Sequence, residues 1–71
     1  MTKFEVGLYN ANVRQLVKEG KRHRDLTDEW ADIHYFDVEA EDAEAARQKV
    51  ARKYPAERGF VIESVETPRF D

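Results

Sequence analysis

The sequence contains no cysteine, which excludes disulfides and thiolate zinc sites alike. It also gives no sign of an oxidising compartment. Serine occurs once, as Ser64, without the flanking glycines of a nucleophile elbow. The glycines stand apart, at positions 7, 20 and 59, so there is no Gly-rich phosphate loop. No apolar run approaches the ~18 residues of a membrane span, and no membrane contact is expected. The opening MTKFEV carries one Lys and passes directly into an alternating pattern, unlike a signal peptide. A cytoplasmic protein is the expectation.

With 71 residues, the chain reads as a single domain over residues 1–66 with a tail at 67–71. A chain of this size buries only about 60% of the surface its unfolded form exposes. Its core supplies a net stability of no more than about 3–5 kcal/mol. With disulfides excluded, association with another subunit is the natural extra source of stability. A concave pocket of a few hundred Å3 scarcely fits in so small a body. With no activated nucleophile and no phosphate loop, the chain is not expected to be an enzyme, and no cofactor or metal is implied.

Charge is what the chain has in plenty. Asp, Glu, Lys and Arg make up 38% of it, against about 25% in an average domain. The net charge is −3 and the pI near 5.4. A field of that sign repels phosphate backbones, so any nucleic-acid role needs a local basic patch.

The apolar residues set the elements. Residues 3–9 alternate, with Phe4, Val6 and Leu8 on one face and Lys3, Glu5, Gly7 and Tyr9 on the other, which predicts a half-buried strand. Gly7, inside that strand, predicts a bulge or a large side chain lying across the backbone; Trp30 is the expected candidate. Val13, Leu16 and Val17 at i, i+3, i+4 predict a short helix over 11–19, capped by Asn10 or Asn12 and ended by Gly20. Residues 30–40 read as a second strand with apolar groups on both faces. Ala43, Ala46, Val50 and Tyr54 make one stripe of a long amphipathic helix over 41–54. Asp42 is its cap and Pro55 its stop. Residues 59–66 read as a third strand.

The expected fold is therefore α+β, in the order β-α-β-α-β. It has a three-stranded mixed sheet, the long helix on one face and a short first helix. A crossover through the long helix makes strands two and three parallel and right-handed, with strand one between them as in a split β-α-β unit. One face of such a sheet is left thinly covered.

Two surfaces follow as candidates. The first joins that face with surplus aromatics: Tyr9, Trp30, Ile33, Tyr35, Val61 and Val65. Aromatic groups with polar tips are enriched at protein interfaces. The expected role is a protein-interaction module that probes its own copies first, as a homodimer. The second surface, from a different class of function, is basic. It combines the loop 18–24, with Lys21, Arg22, His23 and Arg24, and the helix face 47–53, with Lys49, Arg52 and Lys53. Together they would meet phosphate as a nucleic-acid accessory protein. The loop's bases are matched by Glu19, Asp25, Asp28 and Glu29, so a solvated connector is its plainer reading. Residues 20–28, anchored only by Leu26, are expected to be the most mobile internal segment. Asp32 and His34 share a strand face, and His23 is the other imidazole; these are too few and too dispersed for a zinc site.

Overall fold

A computed structural model of the chain describes residues 1–67. The elements are β1 (Thr2–Asn10), α1 (Ala11–Lys18), a 3-10 turn (Asp28–Ala31), β2 (His34–Ala40), α2 (Ala43–Lys53), a second 3-10 turn (Ala56–Arg58) and β3 (Phe60–Glu66). Of the expected tail, Thr67 is described and carries no regular structure, whereas residues 68–71 lie outside the described residues. Among the described residues no helix is long and apolar enough to cross a membrane.

Local chemistry fixes the helix ends. Asn10 caps α1: its Oδ1 accepts from the Val13 amide at 3.0 Å. At the other end the Gly20 amide donates to the Val17 carbonyl at 3.0 Å and the Lys21 amide to Leu16 at 2.8 Å. Together these two bonds make a Schellman closure, and Gly20 takes the left-handed φ of 71° that it requires. Asp42 caps α2 through Oδ1, 2.8 Å from the Ala45 amide, and Pro55 follows directly on the C-cap Tyr54.

The sheet order is β2-β1-β3. β1 is antiparallel to both neighbours, so the sheet is antiparallel throughout rather than mixed. β2 and β3 do run the same way, because α2 carries the chain across β1. They never share a ladder. The expected long helix is eleven residues, and only Ala46 and Val50 of its stripe are buried; Ala43 is exposed.

The core lies between α2 and one face of the sheet. Val6 and Leu8 are 0% exposed, with Phe4, Ala40, Ala46, Val50 and Phe60 around them. One end is closed by aromatic rings. Trp30 meets Phe60 edge-on at 5.2 Å, Tyr54 at 5.6 Å and the stacked His34 ring at 4.5 Å. These contacts are why residues 28–31 form a 3-10 turn instead of the start of the second strand. Trp30 turns inward to the rings, and β2 begins only at His34.

Candidate functional site

The second face of the sheet is built from the outward parity of β1. Lys3 stands opposite Glu39, Glu5 opposite Asp37, and Gly7 opposite Tyr35. On the other side Glu5 stands opposite Glu66, Gly7 opposite Ser64, and Tyr9 opposite Val61. The face is therefore ordered in rows. One row carries three carboxylates in line, Asp37, Glu5 and Glu66. The next, Tyr35, Gly7 and Ser64, has no charge. A third holds Tyr9 and Val61.

Gly7 is what lets the middle row close. A Cβ at that position would lie 2.8 Å from Ser64 Oγ, 3.0 Å from Tyr35 Cε1 and 3.2 Å from Ile33 Cγ2. The side chains lying across the glycine are thus Tyr35, Ile33 and Ser64, and not the expected Trp30. Tyr35 remains 59% exposed, whereas Tyr9, Ile33 and Val61 are half-buried. Beyond Tyr9, the Arg14 guanidinium sits 3.7 Å above its ring. Its Nε donates to the Ala31 carbonyl at 2.9 Å. That bond fixes the cation at the uncharged end of the face.

Four of the six residues expected on this surface are brought together: Tyr9, Ile33, Tyr35 and Val61. Two are not. Trp30 is turned into the rings of the covered face. Val65 pairs with Val6 and packs against the core. The cause is a bulge. Gly7 pairs with Ser64, but Leu8 pairs with Ile62, leaving Glu63 as the extra residue. One inserted residue exchanges the faces, so Val61 and Val65, of equal parity in the sequence, lie on opposite sides. The carboxylate row and Arg14 were missed by sequence reasoning. A row becomes visible only once the strand register is known; Arg14 is one of several charged residues on a short helix.

The basic residues lie on the α2 side. His23 and Lys53, with Asn12, Asp25, Leu26, Tyr54, Arg58 and Phe60, line one open groove of about 580 Å3, more concave space than the length of the chain leads one to expect. The loop and the end of the helix do therefore meet. The other cations are spread out or engaged. Arg24 is 3.8 Å from Asp25 and Arg47 is 4.0 Å from Glu44. Lys49 donates to the Glu39 carbonyl on the β2 edge. Lys21, Arg22 and Arg52 are exposed.

The two histidines have separate tasks. His23 Nδ1 accepts from the amides of Asp25, at 3.0 Å, and Leu26, at 3.1 Å. In this arrangement Nδ1 carries no proton and Nε2–H is the remaining donor. His34 Nε2 donates to the Glu29 carbonyl at 2.9 Å and its ring stacks on Trp30. Asp32 is the residue that follows the 3-10 turn. Among the described residues no group of three His, Asp or Glu side chains could hold a metal ion. No protein-family model, curated protein or solved structure matches the chain.

Proposed function

We propose that the protein is a small interaction module that binds protein through the open face of its sheet, beginning with a second copy of itself. The observation that carries this reading is Tyr35, 59% exposed above a glycine and flanked by Tyr9, Ile33 and Val61. A contiguous apolar and aromatic patch on a small domain is the usual mark of an interface. The small core gives association a thermodynamic purpose, because a partner stabilises the folded form by mass action.

Sedimentation at micromolar concentration tests it. The wild-type chain is expected to sediment as a dimer. Tyr35→Ser is expected to sediment as a monomer with an unchanged circular dichroism spectrum. A wild-type chain that stays monomeric across the concentration range would remove the reading.

A second reading is supported by the groove that His23 and Lys53 share with Arg58. Neither ion pair within 4 Å among the described residues engages any of these three. On this reading the groove meets the phosphates of a nucleic acid, and binding to a single-stranded oligonucleotide falls steeply with salt. It ranks second because Arg24 and Arg47 stand beside acids, Lys49 is held by a backbone carbonyl, and the net charge is −3. A binding isotherm that does not change between low and high salt argues against it.

A further inference from the structure

The open face is charged unevenly along its strands. Gly7 is the midpoint on β1. Glu5, in line with Asp37 and Glu66, lies to one side of it, and Tyr9, with Val61 and the stacked Arg14, lies equally far to the other. Neither ion pair within 4 Å among the described residues draws on Glu5, Asp37, Glu66 or Arg14. Among the described residues, three carboxylates thus stand in line with no cation within 4 Å. At the opposite end the Arg14 guanidinium has no carboxylate within 4 Å among the described residues. Like charges directly across a sheet oppose its formation. The row is a feature that a partner would relieve.

Consider two copies meeting by this face. A closed dimer is isologous, with a two-fold axis relating the copies. For face-to-face packing that axis lies in the plane between the sheets. Two orientations keep the strands nearly aligned, as packed sheets prefer. If the axis runs along the strands, each row meets its own image, and the carboxylates of one copy lie on those of the other. No sideways shift removes that conflict. If the axis runs across the strands, along the line of Tyr35, Gly7 and Ser64, the rows exchange. Tyr9 and Arg14 of each copy then lie over the carboxylate row of the other, twice by symmetry.

We infer that the chain forms a two-fold, strand-antiparallel dimer through the open face, with Arg14 of each copy set against Glu5, Asp37 and Glu66 of the other. This rests on the open face being the self-association surface. Tyr35 and Ser64 lie on the axis and meet their own images. Electrostatic complementarity of this kind fixes register and excludes the wrong arrangement.

A charge swap tests the pairing. Arg14→Glu alone sets acid against acid, and the double variant Glu5→Lys, Glu66→Lys alone sets base against base. Each is expected to self-associate on the order of tenfold more weakly than wild type. Mixed in equal amounts, the two are expected to form a heterodimer, since both contacts are then complementary. Native mass spectrometry reads the composition. Arg14→Glu also gives up the bond to Ala31, so a cysteine test stands beside it in a chain that has no other thiol. Ser64→Cys lies on the axis and is expected to link to itself under mild oxidation. Glu5→Cys faces Tyr9 and is expected not to. Linking at Glu5 but not at Ser64 overturns the inference in favour of the other axis. So does a wild-type dimer whose charge variants associate unchanged or fail to form the heterodimer. In both cases self-association itself survives. A monomeric wild-type chain overturns the inference and the reading it rests on together.

Discussion

The two faces of this sheet are made by the same three strands, and they differ in what lies over them. On the covered face, Phe4, Val6 and Leu8 of β1 meet Ala46 and Val50 of α2 and the ring of Phe60. On the open face the alternate residues of β1 are Lys3, Glu5, Gly7 and Tyr9, and none of them is a large aliphatic. The strand's period of two therefore divides core residues from those of the open face along one stretch of backbone. The lesson is that β1 can vary Lys3, Glu5 and Tyr9 of its outer parity without touching the core, whereas Gly7 is held by the side chains across it. The inner parity has no such freedom.

The widest way to break this division is to remove one side chain from each face. Leu8 is 0% exposed, and Leu8→Ala is expected to cost about 2–5 kcal/mol. That approaches the whole net stability of so small a core, no more than about 3–5 kcal/mol, and the variant should lose its near-native circular dichroism. Tyr35→Ala, measured at concentrations too low for association, should change stability by about 0.5 kcal/mol or less. Urea melts of the two decide the matter. Comparable losses would mean that Tyr35 is a core residue and that the sheet has no free face.

A smaller effect sharpens the comparison at the junction of the elements. Asn10 is the one buried polar side chain among the described residues. Besides capping α1, its Nδ2 donates to the Arg58 carbonyl at 3.1 Å. The Ala11 amide donates to the Gly59 carbonyl at 2.8 Å beside it. Asn10→Ala leaves a buried donor and a carbonyl without this partner, an expected loss of about 1–3 kcal/mol. Amide exchange at Val13 should quicken more than exchange in the middle of β1. If exchange rises evenly over both, Asn10 acts through packing and not through the cap.

Much of this division is legible in the residues. The alternation of Phe4, Val6 and Leu8, the caps Asn10 and Asp42, and the stops Gly20 and Pro55 all act locally. A local pattern can state them. The same is true of Tyr9, Ile33 and Tyr35 on the open parity. What is not legible depends on partners far along the chain. Gly7 marks the bulge on β1, where the register shifts, but nothing in FVIESVE marks Glu63 as the extra residue that sends Val65 to the core. Trp30 reads as a strand residue until Tyr54 and Phe60 are beside it. The carboxylate row exists only through the register that brings Asp37 and Glu66 to Glu5. His23 reads as one more base in a basic run, yet it is the acceptor that closes the turn at Asp25 and Leu26.

The smallest expected effects lie in that loop, and they divide it as the sheet is divided. Lys21, Arg22 and Arg24 are exposed, and the contact of Arg24 with Asp25 at 3.8 Å joins two side chains that are 93% and 73% exposed. Solvent and salt screen such a pair almost fully. Replacing all three with Ser should shift stability by about 0.5 kcal/mol or less. His23 differs from its neighbours, because two backbone amides depend on its Nδ1 and Leu26 packs against the core from the same turn. His23→Ala removes that acceptor and should cost about 1 kcal/mol, the usual net worth of a hydrogen bond. Amide exchange at Leu26 should quicken in His23→Ala and stay unchanged in the triple variant. Thermal melts of the two proteins, run side by side, compare them directly. A triple variant that loses as much as His23→Ala would mean that the basic run itself is docked on the fold, and the loop would then belong to the structure rather than to its solvated surface.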